Sequence, residues 1–110
     1  MKIDVQQRDE ALVAKVQAPR LDAAQAAAFR TALLDVVKDA PAARLVLDLQ
    51  AVKMIDSSGL GVLVSVLKSM GGRGSIAIAG AGETVQAVFK LTRLDRVFPM
   101  HDSVEAALAA

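Results

Sequence analysis

The chain has 110 residues and a formal net charge of +1, a balance that provides no basic surface for nucleic acid. Its 54% of hydrophobic residues excludes a disordered chain and predicts one compact domain over residues 1–110, and the lack of cysteine excludes disulfides and thiolate chemistry. The N-terminus lacks the apolar segment of a signal peptide, and no apolar run approaches the ~20 residues that a membrane span needs, so we expect no membrane insertion and a cytoplasmic location.

The first half of the chain predicts strand, strand, helix and strand. Residues 2–7 and 11–16 alternate between apolar and other side chains, as paired strands do. Asp22 is placed to cap an alanine-rich helix over 23–40. Residues 43–49 form a short run that is apolar on both sides, the pattern of a central strand covered on both faces.

The second half predicts three more helices and two more strands. Helix 57–70 carries an apolar stripe made of Leu60, Leu63, Val64, Leu67 and Met70. Val62 and Val66 are predicted to lie off this stripe. The remaining elements are strand 75–79, helix 83–94 with Leu91 among its apolar residues, strand 97–100, and helix 103–109 capped by Asp102. The order ββαβαβαβα predicts an α/β fold, with a mixed, mostly parallel sheet of about five strands flanked by about four helices.

The stretch MIDSSGLG, residues 54–61, places two serines where a strand-like segment meets a helix. A phosphate on Ser57 or Ser58 would suit the start of its own helix but would add about −1.5 to −2 of charge to a surface that a partner must cover. The same residues also suit a plain helix cap made by Asp56 or Ser57. From the motif alone, the cap is the more ordinary interpretation.

Other candidate sites are weaker. His101 is the single histidine, and no nucleophile-elbow motif accompanies it. Asp22, Asp48 and Asp56 lack a histidine or second carboxylate at metal-binding spacing, and GAGETV, residues 80–85, is incomplete as a nucleotide-binding loop. We therefore expect no catalytic residue, no metal, no cofactor and no enzymatic activity.

The segment LVLDLQAVKMIDSSGLGVLVSVLK, residues 45–68, closely resembles the signature of STAS domains, and in particular that of the bacterial anti-sigma factor antagonists. RLDAAQAAAFRTAL, residues 20–33, resembles the family's other recurrent block, and the element order matches the family fold. The resemblance covers nearly the whole chain. It departs at residues 18–22, APRLD, where the family commonly has a glycine and where Pro19 stiffens the entrance to the first helix.

The resemblance implies a phosphorylation switch. In the family, the unphosphorylated domain binds an anti-sigma factor, usually a serine kinase of histidine-kinase-like ATPase fold, and so frees a sigma factor. Phosphorylation at the start of the second helix dissociates the complex, and a PP2C-type phosphatase restores the active form. The family's phosphate-accepting residue aligns best with Ser58, with Ser57 as the alternative. The chain is expected to be a monomer or a weak dimer. The docking surface is implied to include Asp22, Asp56, Ser57, Gly59, Leu60 and Gly61.

Two rival interpretations stay open. A phosphoacceptor receiver domain would use Asp48 at the end of the central strand, and it needs an acidic pair after its first strand and a lysine after a late one. Here QRDE, residues 7–10, follows the first strand but leads into a hairpin rather than a helix, and residues 75–82 contain no lysine. A STAS subunit of a lipid-transport complex, or a piece resembling the cytoplasmic domain of an anion transporter, would need no phosphorylatable serine. The intact D-S-S-G motif therefore favours the switch.

Overall fold

Seven strands and four helices follow one another along residues 1–110, all of which the computed structural model describes. The strands are β1 (Ile3–Arg8), β2 (Ala11–Val16), β3 (Arg20–Leu21), β4 (Arg44–Asp48), β5 (Met54–Ile55), β6 (Ser75–Ala79) and β7 (Met100–His101). The helices are α1 (Ala26–Val37), α2 (Ser57–Ser69), α3 (Glu83–Leu91) and α4 (Val104–Ala109), with a 3₁₀ turn at Leu94–Arg96. None of these helices has both the length and the apolar character that crossing a membrane requires.

Five of the strands form the central sheet, in the order β1-β2-β4-β6-β7. β1 and β2 are antiparallel and are joined by Asp9 and Glu10, whose φ angles of 49° and 67° are those of a type I′ hairpin turn. The other three pairs are parallel. The predicted mixed, mostly parallel sheet of five strands is confirmed, and the predicted element order holds apart from two unpredicted two-residue strands, β3 and β5, which pair with each other.

The helices divide unequally between the two faces of the sheet. Helices α1, α2 and α3 pack on one face and bury the main core, which includes Phe29, Phe89 and Phe98. Helix α4 covers part of the other face through Ala107 and a small cluster on the strands. β4 lies at the centre and is buried on both faces, as its uninterrupted apolar sequence predicts.

Helix α1 is shorter at both ends than the predicted range 23–40, and the predicted cap is wrong. Gln25 occupies the N-cap position without a side-chain capping bond. Asp22 instead accepts a hydrogen bond from the backbone N–H of Gln25 at Oδ1, 3.2 Å away. Its carboxylate therefore stabilises the turn that precedes the helix rather than the helix itself.

Helix α2 buries more of its circumference than one stripe. Val62 and Val66, expected to lie off the buried face, are 6% and 0% exposed. The reason is that α2 packs against α1 as well as against the sheet. A single-stripe pattern describes a helix with one neighbour, so it underestimates the burial of a helix with two.

The C-terminal quarter differs in detail from the prediction. α3 ends at Leu91, which is 84% exposed, because the left-handed conformation of Arg93 (φ 60°) separates the helix from the 3₁₀ turn. The last strand starts at Met100 rather than at 97. The predicted Asp102 cap of the final helix is also wrong, since Ser103 accepts the capping bond from the N–H of Ala106 at 3.0 Å.

Candidate functional site

The D-S-S-G motif forms a complete helix N-terminus. Asp56 has extended backbone angles and is the N-cap of α2. Its Oδ1 accepts hydrogen bonds from the N–H groups of Ser58 and Gly59, at 2.9 and 3.2 Å. An aspartate in this position satisfies amides that have no partner within the helix and places negative charge at the positive end of the helix dipole.

Asp56 also joins α2 to the segment that leads into α1. Its Oδ2 accepts a hydrogen bond from the N–H of Ala23 at 3.2 Å. The two-residue strands β3 and β5 pair in parallel just before these helices, with Leu21 opposite Ile55. The carbonyl of Pro19 accepts from the N–H groups of Lys53 and Met54, so the APRLD segment is fixed by backbone contacts to the chain entering α2.

Asp22 stands at the start of the α1 segment and is held on its other side by Arg20. Oδ2 of Asp22 lies 2.9 Å from Nη2 and 3.0 Å from Nε of Arg20. The side chain of Asp22 is largely covered whereas that of Arg20 is largely exposed. The Asp22 turn and the Asp56 cap thus come together through Ala23, and both carboxylates already have hydrogen-bond partners.

Gly59 is required by the close approach of α2 to β3. A Cβ atom at this position would overlap the carbonyl oxygen of Leu21 and lie 2.8 Å from Cγ1 of Ile55. Gly59 and Leu60, both expected on the docking surface, are buried beneath it and offer almost no exposed area to a partner. Gly61, by contrast, is exposed and has free space around its Cα.

Ser57 and Ser58 differ in their surroundings. Ser57 is exposed at the first position of α2. Ser58 is half-buried and lines an open groove between α1 and α2. This α1–α2 groove is bounded on the α2 side by Gly61, Val62 and Ser65 and on the α1 side by Ala26, Ala27, Arg30, Thr31 and Leu34.

The structure therefore brings together the residues that the resemblance implied, on the edge of the sheet where the parallel strands end. It adds the α1 wall of the groove, which the sequence did not single out. The only sequence signal for that wall was the helical spacing of its residues: Ala26, Ala27, Arg30, Thr31 and Leu34. Because most of these residues are small or polar, the pattern does not differ from that of an ordinary solvent-exposed helix surface.

The other candidate positions lie elsewhere. Asp48 ends β4, and its Oδ1 accepts from the N–H of Gln50 at 2.9 Å. His101 lies in the edge strand β7, where it pairs with Ala79. No group of three or more histidine or acidic side chains is arranged to hold a metal ion.

Comparison with known proteins matches this geometry to one family. The STAS domain model matches residues 2–107. The anti-sigma-F factor antagonist RsfB of Mycobacterium tuberculosis is 32% identical over 88 residues, which are 80% of this chain and 71% of RsfB. The TM1081 homolog of Thermotoga neapolitana is 38% identical over 66 residues, and the match spans 58% of that protein's length and 59% of this chain.

The fold is shared with solved structures over nearly its whole length. The crystal structure of an anti-sigma factor antagonist from Mycobacterium paratuberculosis superposes with a TM-score of 0.86 and 30% identity, covering 98% of this chain and 91% of that one. The fold class implied by the sequence resemblance is confirmed. The chain belongs to the STAS domain family.

Proposed function

We propose that the chain is an anti-sigma factor antagonist whose binding is switched off by phosphorylation of Ser58. In its unphosphorylated form it binds an anti-sigma factor, a serine kinase of histidine-kinase-like ATPase fold, and so releases the client sigma factor. A PP2C-type phosphatase removes the phosphate and restores binding. The names of RsfB and of the Mycobacterium paratuberculosis protein support the antagonist role.

The position of Ser58 is the observation that carries the proposal. Its side chain is half-buried in the α1–α2 groove, beside the exposed Gly61, whereas Ser57 lies outside the groove. A partner that covers the groove must therefore cover Ser58. A phosphate there adds about −1.5 to −2 of charge and the bulk of a phosphoryl group within the contact area, so a partner that fits the unmodified groove loses its contacts.

The switching reaction is a phosphoryl transfer. The Ser58 hydroxyl oxygen attacks the γ-phosphorus of ATP held by the partner kinase, and the hydroxyl proton passes to a base of that kinase. The bond from the γ-phosphorus to the β–γ bridging oxygen breaks, and ADP leaves. Water hydrolyses the serine–phosphate ester on the phosphatase and releases inorganic phosphate, so each cycle consumes one ATP.

Binding of Ser58 variants to the partner kinase tests the proposal. We expect Ser58→Ala to bind as tightly as the unphosphorylated protein and to stay bound in the presence of ATP. Ser58→Asp should bind at least tenfold more weakly, which corresponds to about 1.4 kcal/mol. Isothermal titration calorimetry with the purified kinase measures both affinities.

A control substitution distinguishes the effect of a negative charge at position 58 from the effect of an added negative charge elsewhere on the surface. Ser75 is exposed at the start of β6, away from the α1–α2 groove. Ser75→Asp adds the same charge and should leave the dissociation constant within about twofold of the wild-type value, or about 0.4 kcal/mol. Equal binding by Ser58→Ala and Ser58→Asp would overturn the assignment of Ser58, and a larger effect at Ser57→Asp would move it to the neighbouring serine.

A further inference from the structure

Arg30 is a cation on the wall of the α1–α2 groove with no carboxylate partner. The molecule has three ion pairs, Arg8–Glu105, Arg20–Asp22 and Lys38–Asp35, and Arg30 belongs to none of them. Its side chain is exposed and lines the same groove as Ser58. An unpaired guanidinium on the same groove as a candidate phosphorylation site is the kind of group that phosphate recognition uses.

The course of the two helices directs Arg30 toward Ser58. α1 and α2 follow the parallel strands β2 and β4, so both begin at the same edge of the sheet. The contact between Ala23 N–H and Asp56 Oδ2 fixes these two starts together. Ser58 lies in the first turn of α2, and Arg30 lies in the second turn of α1. Long side chains on a helix lean toward its N-terminus, so that of Arg30 leans toward the end of the groove that holds Ser58.

Asp56 already occupies three of the amide donors at the start of α2 and leaves only that of Ser57. The N–H groups of Ser58 and Gly59 are already bonded to Oδ1 of Asp56, and the N–H of Leu60 is bonded to the Asp56 carbonyl. A phosphate on Ser58 would therefore stand next to a carboxylate that has taken the amides. Among the residues that line the groove, Arg30 is the one that carries a positive charge to balance it.

We propose that, when Ser58 is phosphorylated, the guanidinium of Arg30 binds the phosphoryl group across the α1–α2 groove. The origin of the phosphate in the cell rests on the proposed function, but the pairing is a property of this chain alone. The pair would join the second turn of α1 to the first turn of α2. Phosphorylation would then obstruct the groove as well as add negative charge to it. Arg30 would no longer be available to contact a partner protein.

The test uses protein with phosphoserine installed at position 58 during translation, so no kinase is needed. Titration followed by ³¹P NMR reports the second pKa of the phosphate. A guanidinium favours the dianion, so this pKa should lie below the value of about 6 for a phosphoserine without a cationic partner. Arg30→Gln should raise the pKa toward about 6, and Arg30→Lys should restore part of the difference.

Two matched controls exclude a general effect of net charge. Lys53 is exposed and lies outside the groove, so Lys53→Gln removes the same charge and should leave the pKa at its wild-type value. Phosphoserine installed at 57 should be insensitive to Arg30→Gln. An unchanged pKa in Arg30→Gln at position 58, or an equal change at position 57, would overturn the pairing. Neither result bears on whether a kinase uses Ser58, so the two proposals fail separately.

Discussion

Gly59 lies where the first turn of α2 packs closely against β3. Gly61, two residues later in the same helix, is different, because a Cβ added there would meet no other atom within 4 Å. The two glycines of the D-S-S-G-L-G motif therefore have different physical reasons for lacking a side chain. At Gly59 the reason is close packing. At Gly61 it is an open groove, where a Cβ would meet no atom of this chain.

Alanine substitutions at these two glycines should have opposite effects on stability. Gly59→Ala forces the helix away from Leu21 and Ile55, and overpacking of this kind costs about 1–3 kcal/mol. Gly61→Ala meets no obstruction and should stabilise the helix by about 0.5–1 kcal/mol. Urea unfolding measures both free energies. Equal effects of the two substitutions would contradict the packing described here.

The elements around the site are coupled through one side chain. Asp56 caps α2 with one carboxylate oxygen and holds the chain before α1 with the other. Because β3 and β5 are only two residues long, their pairing alone fixes little of the intervening geometry. The Asp56 carboxylate therefore adds to the backbone bonds of Pro19 and Leu21 in fixing the start of α1 beside Ser58.

Removing the carboxylate should loosen both helix starts together. Asp56→Ala should cost about 1–2 kcal/mol in unfolding free energy, and Asp56→Asn should cost less because one acceptor oxygen remains. Hydrogen exchange of the Ala23 and Ser58 amides, followed by NMR, should accelerate in Asp56→Ala.

Ser103→Ala is the control, because it removes the cap of α4 at a comparable cost without touching this site. The Ala23 amide should keep its wild-type exchange rate in that variant. If Ala23 remains as protected in Asp56→Ala as in the wild-type protein, the carboxylate is not what holds the two segments together.

The long elements were predictable from the sequence and the short connections were not. Alternation and helical spacing located β1, β2, β4, β6 and the four helices, because each carries a repeated pattern of apolar side chains, although in β1 that pattern leaves Val5 exposed. β3 and β5 are too short to show alternation. The caps at Asp22 and Asp102 were misplaced because several neighbouring polar residues suit a cap, and backbone angles rather than residue type decide among them.

At the scale of the whole molecule, the site follows from topology. The starts of α1, α2 and α3 lie at the carboxyl edge of the parallel strands, which is where α/β sheets commonly place binding sites. The identity of the D-S-S-G segment as part of this site could be inferred from sequence. The α1–α2 groove and Arg30 could not, because they depend on how two helices pack and no local pattern records that packing.

Intact mass with peptide mapping of the protein purified from its own cells tests most directly whether Ser58 carries the switch. Trypsin should release residues 54–68 as one peptide, which holds Ser57, Ser58 and Ser65. We predict a fraction of the protein heavier by one phosphate, with fragment ions that place the phosphate on Ser58. A protein free of phosphate under every growth condition, or a phosphate located on Asp48, would contradict the account.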